Sequence, residues 1–175
     1  MFTIGHSTHA IERFLGLLER NSVELVADVR RFAGSRRHRQ LGSEALARSL
    51  AEAVIDYACL GEELGGRRRA RQDSPNAGWR SGQFRGYADH MGSAEFAEGL
   101  ARLEAAAVAR PAAIMCAEGD WRRCHRQLIA DAMAARGWRV LHIGRYGCLE
   151  VHELTSFAVV EDGSVSYPGA RTLLD

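Results

Sequence analysis

The segment MCAEGDWRRCHRQ, Met115–Gln127, carries Cys116, Glu118, Cys124, His125 and Arg126 in close succession. A thiolate is a strong nucleophile, an imidazole titrates near neutral pH, and a guanidinium fork binds phosphate or carboxylate in a bidentate manner. Brought together, they could perform nucleophilic or acid–base attack on an anionic substrate. Cys116, His125 and Glu118 are the catalytic candidates, and Arg126 is a candidate for holding the substrate.

Each candidate has a plainer alternative. Cys116 could be the last buried residue of a strand, since free cysteine packs as a small hydrophobe. Offsets of four place Cys124 over Leu128 and His125 over Ile129, on the apolar stripe of the following helix. Cys124 is therefore read as core. His125, in a first helical turn, is read as a neutral base favoured by the positive end of the helix dipole.

Cys116, Gly119 and Arg122 also spell CxxGxxR, the phosphate loop of cysteine-dependent phosphatases. Given the arginine and glycine content, the four cysteines meet this pattern by chance at roughly 5%. Met115 and Arg123 replace the usual flanking residues, and Glu118 and Asp120 would repel a phosphate. The match is read as accidental. Cys116, Cys124 and His125 lack a recognised metal-ligand spacing, so neither metal nor cofactor is expected.

A second cluster, DVRRFAGSRRHRQ (Asp28–Gln40), follows the second strand and holds Arg30, Arg31, Arg36, Arg37 and Arg39. Asp28, Arg30 and Arg36 are candidate substrate-binding residues because they fall at a strand's C-terminal end. His6 and Ser7, closing the first strand in TIGHSTH, join them, with an N-cap as the plainer reading of Ser7. GHSTH is not GxGxxG, so the dinucleotide fingerprint is absent. A third arginine run, Arg67–Arg71, reads as solvated.

The elements that must position these residues alternate. Strands are expected at Phe2–Gly5, Glu24–Val29, Ile55–Leu60, Ala112–Ala117 and Arg139–Ile143. A helix capped by Ser7 or Thr8 carries Phe14, Leu17 and Leu18. Another, capped by Ser43, carries Leu46, Leu50 and Val54. Further helices are expected near Tyr87–Met91, at Ser93–Ala109 and at Arg122–Arg136, the last ending at Gly137. Asp162-Gly163 between β-rich runs signals a hairpin. The pattern predicts one α/β domain over residues 1–175, a mostly parallel Rossmann-like sheet of about five strands with helices on both faces and a C-terminal β-hairpin. Ligands then bind at the strands' C-terminal ends. The long segment 61–83 could be a lid or a disordered loop.

Composition narrows the classes. The 175 residues are 46% hydrophobic with a formal net charge of +1, giving no global pull toward nucleic acid or an anionic membrane. Every cationic side chain is arginine, which excludes a Schiff-base lysine and the lysine of a P-loop. With no signal peptide or long apolar span in view, four free thiols in a cytoplasmic setting are expected.

The ordered motifs TIGHS (Thr3–Ser7), DVR with SRR (Asp28–Arg30, Ser35–Arg37), LGEELGGRRR (Leu60–Arg69), FRGYADHM (Phe84–Met91), MCAE (Met115–Glu118) and CHRQLIADAM (Cys124–Met133) resemble the domain of unknown function 488 family over nearly the whole length. Ala33 stands near where that family has a proline, and Arg122 is outside its pattern. The resemblance implies a compact α/β fold whose motifs meet in one pocket, with Cys116, Glu118, Cys124, His125 and Arg126 together. It implies no activity. The residues favour a small Cys/His-dependent hydrolase or transferase acting on a small anionic ligand, a nucleotide or a nucleic-acid fragment. The alternative is a non-catalytic module that senses a nucleotide or binds a protein.

Overall fold

Residues 1–34 and 39–169 are described by a computed structural model. Strands β1 (Phe2–Gly5), β2 (Leu25–Asp28), β3 (Asp56–Cys59), β4 (Ala112–Cys116) and β5 (Leu141–Ile143) run parallel in one sheet. The apolar runs of β2 and β4 are buried throughout, as strands covered on both faces must be. A sixth strand, β6 (Leu149–Val151), pairs antiparallel with β5 and gives the order β3-β2-β4-β1-β5-β6. Strands β7 (Val159–Glu161) and β8 (Ser164–Ser166) form the expected C-terminal hairpin. Its turn places Asp162 at φ +48° and Gly163 at φ +74°, the left-handed pair that a tight two-residue hairpin turn requires.

Helices cover both faces. Helix α1 (Ile11–Glu19) buries Phe14, Leu17 and Leu18, and α2 (Ser43–Glu52) buries Leu46 and Leu50, against Ile4, Val26, Ala113 and Met115. On the other face, α3 (Gly82–Met91), α4 (Ala94–Ala109) and α5 (Arg126–Ala135) pack Tyr87, Phe96, Leu103, Ile129 and Met133 against Ala27, Ile114 and Cys116. The period of two along a strand decides which residues go where. It sends Met115 to the first face and Cys116 to the second.

This topology locates the site. The chain leaves β1 and β2 for the face of α1 and α2, but leaves β4, which lies between them, for the face of α5. Loops diverging from adjacent strand ends open a crevice, and ligands of doubly wound sheets bind in such crevices. The loops after β1 and β4 are tied at its floor: the His6 N–H donates to the Cys116 carbonyl at 2.9 Å and the Ser7 N–H to the Ala117 carbonyl at 3.0 Å.

Several local expectations are corrected. Helix α1 starts only at Ile11 with Ala10 at its cap, so neither Ser7 nor Thr8 caps it; Ser7 sits at φ +49° in the turn after β1. Gly42, not Ser43, caps α2, and Val54 lies beyond that helix, exposed. The helix expected over Arg122–Arg136 is broken. A one-turn 3-10 helix at Trp121–Arg123 ends in an extended Cys124, and α5 begins at Arg126 with His125 as its cap. In an unbroken helix Cys124 and His125 would diverge by about 100°; the break lets both face Cys116. Segment 61–83 is anchored at several points, although much of it is exposed: Leu64 is fully buried, Trp79 stacks on Phe84, and the Asn76 amide donates to Asp89. Arg68, expected in solvent, donates to the Gly65 carbonyl and to Glu95. Among the described residues no helix is long and apolar enough to cross a membrane.

Candidate functional site

A cavity of about 580 Å³ opens at the C-terminal ends of β1, β2 and β4. Its walls are Ser7 and Thr8, then Arg30, Arg31 and Phe32, then Cys116 to Gly119, with Arg123, Cys124 and His125 from the approach to α5. Gly66, Arg67 and Gln83 close it from segment 61–83. This size falls in the range of small-molecule ligand pockets. Exposed Arg31, Arg67 and Arg123 rim it, and the Arg67 guanidinium lies 5.7 Å over the Phe32 ring.

At its floor, Cys116, Cys124 and His125 bring their sulfur and nitrogen atoms within 4.8 Å of one another. His125 donates Nε2–H to the Val29 carbonyl at 3.0 Å, which leaves Nδ1 facing Cys124 Sγ at 3.6 Å. Segment 61–83 approaches so closely that a Cβ on Gly66 would stand 2.8 Å from His125 Nδ1. The two thiols divide one role. The Cys116 S–H donates to Cys124, which holds the Cys124 thiol well below its ordinary range, helped by His125 and Arg126. The same hydrogen bond, with burial, pushes the Cys116 thiol up.

Arg126 supplies a second reason for a thiolate at Cys124. It is 1% exposed, yet among the described residues no carboxylate forms an ion pair with it. Its Nε donates to Cys124 Sγ at 3.5 Å, Nη1 to Thr3 Oγ1 at 3.3 Å, and Nη2 to the Glu118 carbonyl. A buried cation needs a compensating charge, and the Cys124 sulfur is the adjacent group able to carry one. A Cβ on Gly5 would lie 2.9 Å from Arg126 Nη2 and collide with the Glu118 carbonyl, so TIGHS needs glycine there. Cys116, Cys124 and His125 are a soft set that could hold zinc, but the buried Arg126 guanidinium opposes further positive charge beside them.

The second expected cluster is built differently. Asp28 is fully buried and accepts from Arg30 Nε at 2.9 Å and Nη2 at 2.5 Å, and from the Tyr57 hydroxyl at 2.7 Å. Burial and Asp28 raise the Tyr57 hydroxyl above its ordinary range. Arg30 Nη1 donates to the Leu41 carbonyl at 2.7 Å and to His6 Nε2 at 3.1 Å, and His6 Nδ1–H donates to the Ser7 carbonyl at 3.0 Å. Asp28, Arg30 and His6 thus brace the strand ends, with Arg30 also reaching the cavity wall.

Among the sequence candidates, Cys116, Glu118, His125, Ser7 and Arg30 line the cavity. Arg126 stands directly behind Cys124, and Arg36 lies outside the described residues. The Glu118 side chain is exposed and accepts from the Asp120 N–H at 3.2 Å. Sequence reasoning set Cys124 aside as core; it is 4% exposed, but its sulfur is the centre of the cluster. The Cys-His pair itself was the available signal. Tyr57, Thr3 and His142 gave none, because ordinary strand alternation explains their types.

Fold and site together define a doubly wound α/β protein with a cysteine–histidine cluster at the crevice where its strand connections diverge. The family model of the Domain of unknown function DUF488 matches residues 10–133, and the chain belongs to that family. The match takes in Asp28, both clustered cysteines, His125 and Arg126, while TIGHS precedes it. No curated protein and no solved structure matches the chain.

Proposed function

We propose that this protein is a thiol-dependent enzyme acting on a small phosphate-bearing anion, a nucleotide or nucleic-acid-derived molecule, with Cys124 rather than Cys116 as nucleophile. The supporting observation is one sulfur surrounded by Cys116, His125 and Arg126 on the floor of an arginine-rimmed cavity. The Cys124 sulfur bonds to the substrate's electrophilic centre, and the leaving group takes the proton that Cys124 and His125 share. Water then cleaves the sulfur adduct, returning that proton to the pair. Cys116 stabilises the thiolate, Glu118 and Ser7 contact the substrate from the β4 and β1 turns, and Arg31, Arg67 and Arg123 hold its phosphate. A reducing cytoplasm suits this chemistry, and the four cysteines are free.

The test incubates the wild-type protein and Cys124→Ser with nucleoside 5′-mono- and diphosphates. Substrate loss is followed by ion-exchange chromatography and acid-stable adducts by intact mass. The expected result is turnover in the wild type that Cys124→Ser abolishes. Turnover surviving in Cys124→Ser overturns the proposal, and saturable binding without turnover replaces it with the non-catalytic nucleotide-sensing module.

A further inference from the structure

Behind the cavity, four buried side chains form one hydrogen-bonded path. Asp131, fully buried in the middle of α5, accepts from His152 Nε2 at 2.9 Å, from the Thr155 N–H at 2.9 Å and from the hydroxyls of Thr155 and Tyr167, both at 2.7 Å. Four donors occupy its two oxygens, so it acts only as an acceptor. With a single proton on each histidine, that choice fixes the direction of every later link. His152 donates from Nε2, so its Nδ1 accepts from His142 Nε2–H at 3.0 Å. His142 Nδ1 then accepts from the Thr3 hydroxyl at 2.7 Å, and the Thr3 oxygen is left to receive Arg126 Nη1–H.

The path begins and ends on α5 and crosses the sheet between. Thr3 and His142 are register partners on β1 and β5, and His152 follows β6. The Trp121 ring stacks on His142 with centroids 3.8 Å apart and 8° between planes, sheltering it. Two buried histidines in series are an expensive way to secure a helix, since a single apolar contact would do so without burying polar groups. They tie the one buried guanidinium that has no ion-pair partner among the described residues to the fully buried Asp131.

We propose that Thr3, His142, His152 and Asp131 are positioning residues that aim Arg126 at the Cys124 sulfur. This rests on Cys124 being the reactive thiol of the proposed function. The chain sets the orientation of the guanidinium, and through it the stability of the thiolate. It touches neither substrate nor cavity.

The test measures iodoacetamide labelling of Cys124 against pH by peptide mapping, in a Cys59→Ser/Cys148→Ser background that removes the two exposed thiols. Thr3→Val keeps the shape of the side chain and removes its hydroxyl; Thr3→Ser keeps the hydroxyl. Expected for Thr3→Val is a labelling curve displaced upward by about one pH unit, so that labelling at pH values below the wild-type midpoint slows about tenfold. Thr3→Ser restores the wild-type curve, and Asp131→Asn, where it folds, follows Thr3→Val. Thermal melts establish that each variant is folded. A folded Thr3→Val with the wild-type curve overturns the positioning chain, as does a Thr3→Ser curve that stays displaced. A wild-type curve with the midpoint of an ordinary thiol, about 8.5, overturns instead the reading of Cys124 as the reactive group.

Discussion

His125 Nε2 donates to the Val29 carbonyl at 3.0 Å while Nδ1 faces Cys124 Sγ at 3.6 Å. The residue after β2 therefore orients an imidazole that caps α5, and Nδ1 of that imidazole faces a sulfur from the turn between. The three parts meet only because β2 and β4 are neighbours in the sheet.

The first prediction separates the two thiols. Cys124 is held below its ordinary range by the Cys116 S–H, His125 and Arg126, and Cys116 is raised by the same hydrogen bond. Cys124 should alkylate readily at pH values well under 8.5, and Cys116 slowly throughout. Arg126→Met should shift the Cys124 curve upward, and a chelator should leave it unchanged. The linked stability follows the usual sign for a depressed pKa: the Cys124 contribution is present above the unfolded thiol value and is lost as pH falls through the folded one. Equal labelling of both cysteines near neutral pH would falsify the assignment.

A second prediction concerns Asp28 and Arg30, which sequence position suggested as substrate ligands. Their ion pair is buried, with side-chain exposures of 0% and 5%. Asp28→Asn strands the guanidinium and should lower stability by about 3–5 kcal/mol. Tyr57→Phe, removing one hydrogen bond to the carboxylate, should lower it by about 1 kcal/mol. Urea unfolding measures both. Wild-type stability in Asp28→Asn would show that the pair does not brace the strand ends.

Much of the fold was legible because the buried strands are short apolar runs and the helices carry stripes such as Phe14, Leu17 and Leu18. The edge strand β6 was missed although the glycines of Gly144-Arg145-Tyr146-Gly147 mark the turn before it, with Gly147 at φ +91°. The site was legible where unusual residues cluster in sequence, as at Cys124-His125-Arg126. It was not legible where chemistry is assembled across elements. Nothing local distinguishes a threonine in β1 from any other strand threonine, and only the β1–β5 register brings Thr3 opposite His142. The exposed rim was equally hidden: Arg67 reads as one of a solvated run, yet at φ +60° it turns over Phe32.

That rim carries the third prediction. Arg67→Ala/Arg123→Ala removes two exposed guanidiniums from the cavity edge. Binding of inorganic phosphate or a nucleoside monophosphate, followed by titration calorimetry, should weaken about tenfold or more, because each charge-assisted hydrogen bond contributes about 1.5–3 kcal/mol. Stability should change by no more than about 0.5 kcal/mol, as for ordinary surface substitutions. Rising salt should weaken the wild-type complex more than the variant's, since screening acts on the charges removed. Unaltered affinity in the double variant would place the anion elsewhere.

The fourth prediction uses the buried histidines. Burial, with His152, Arg126 and Arg122 nearby, lowers His142 to about 3, and His9 and His90 are lowered as well, burial again being the main cause. An unfolded histidine takes up its proton near 6.5, so the unfolded state binds more protons below that pH. The histidine contribution to stability is therefore fully present above about 6.5 and is lost as pH drops toward the folded value. Most of the window from about 6.5 to 4.5 lies above the ordinary aspartate and glutamate values of about 3.9 and 4.3, so the histidines dominate its upper part. The urea midpoint should decline across that window in the wild type and decline less steeply in His142→Gln. A wild-type midpoint that stays level from pH 7 to 4.5 would mean that His142 is not held neutral between Thr3 and His152.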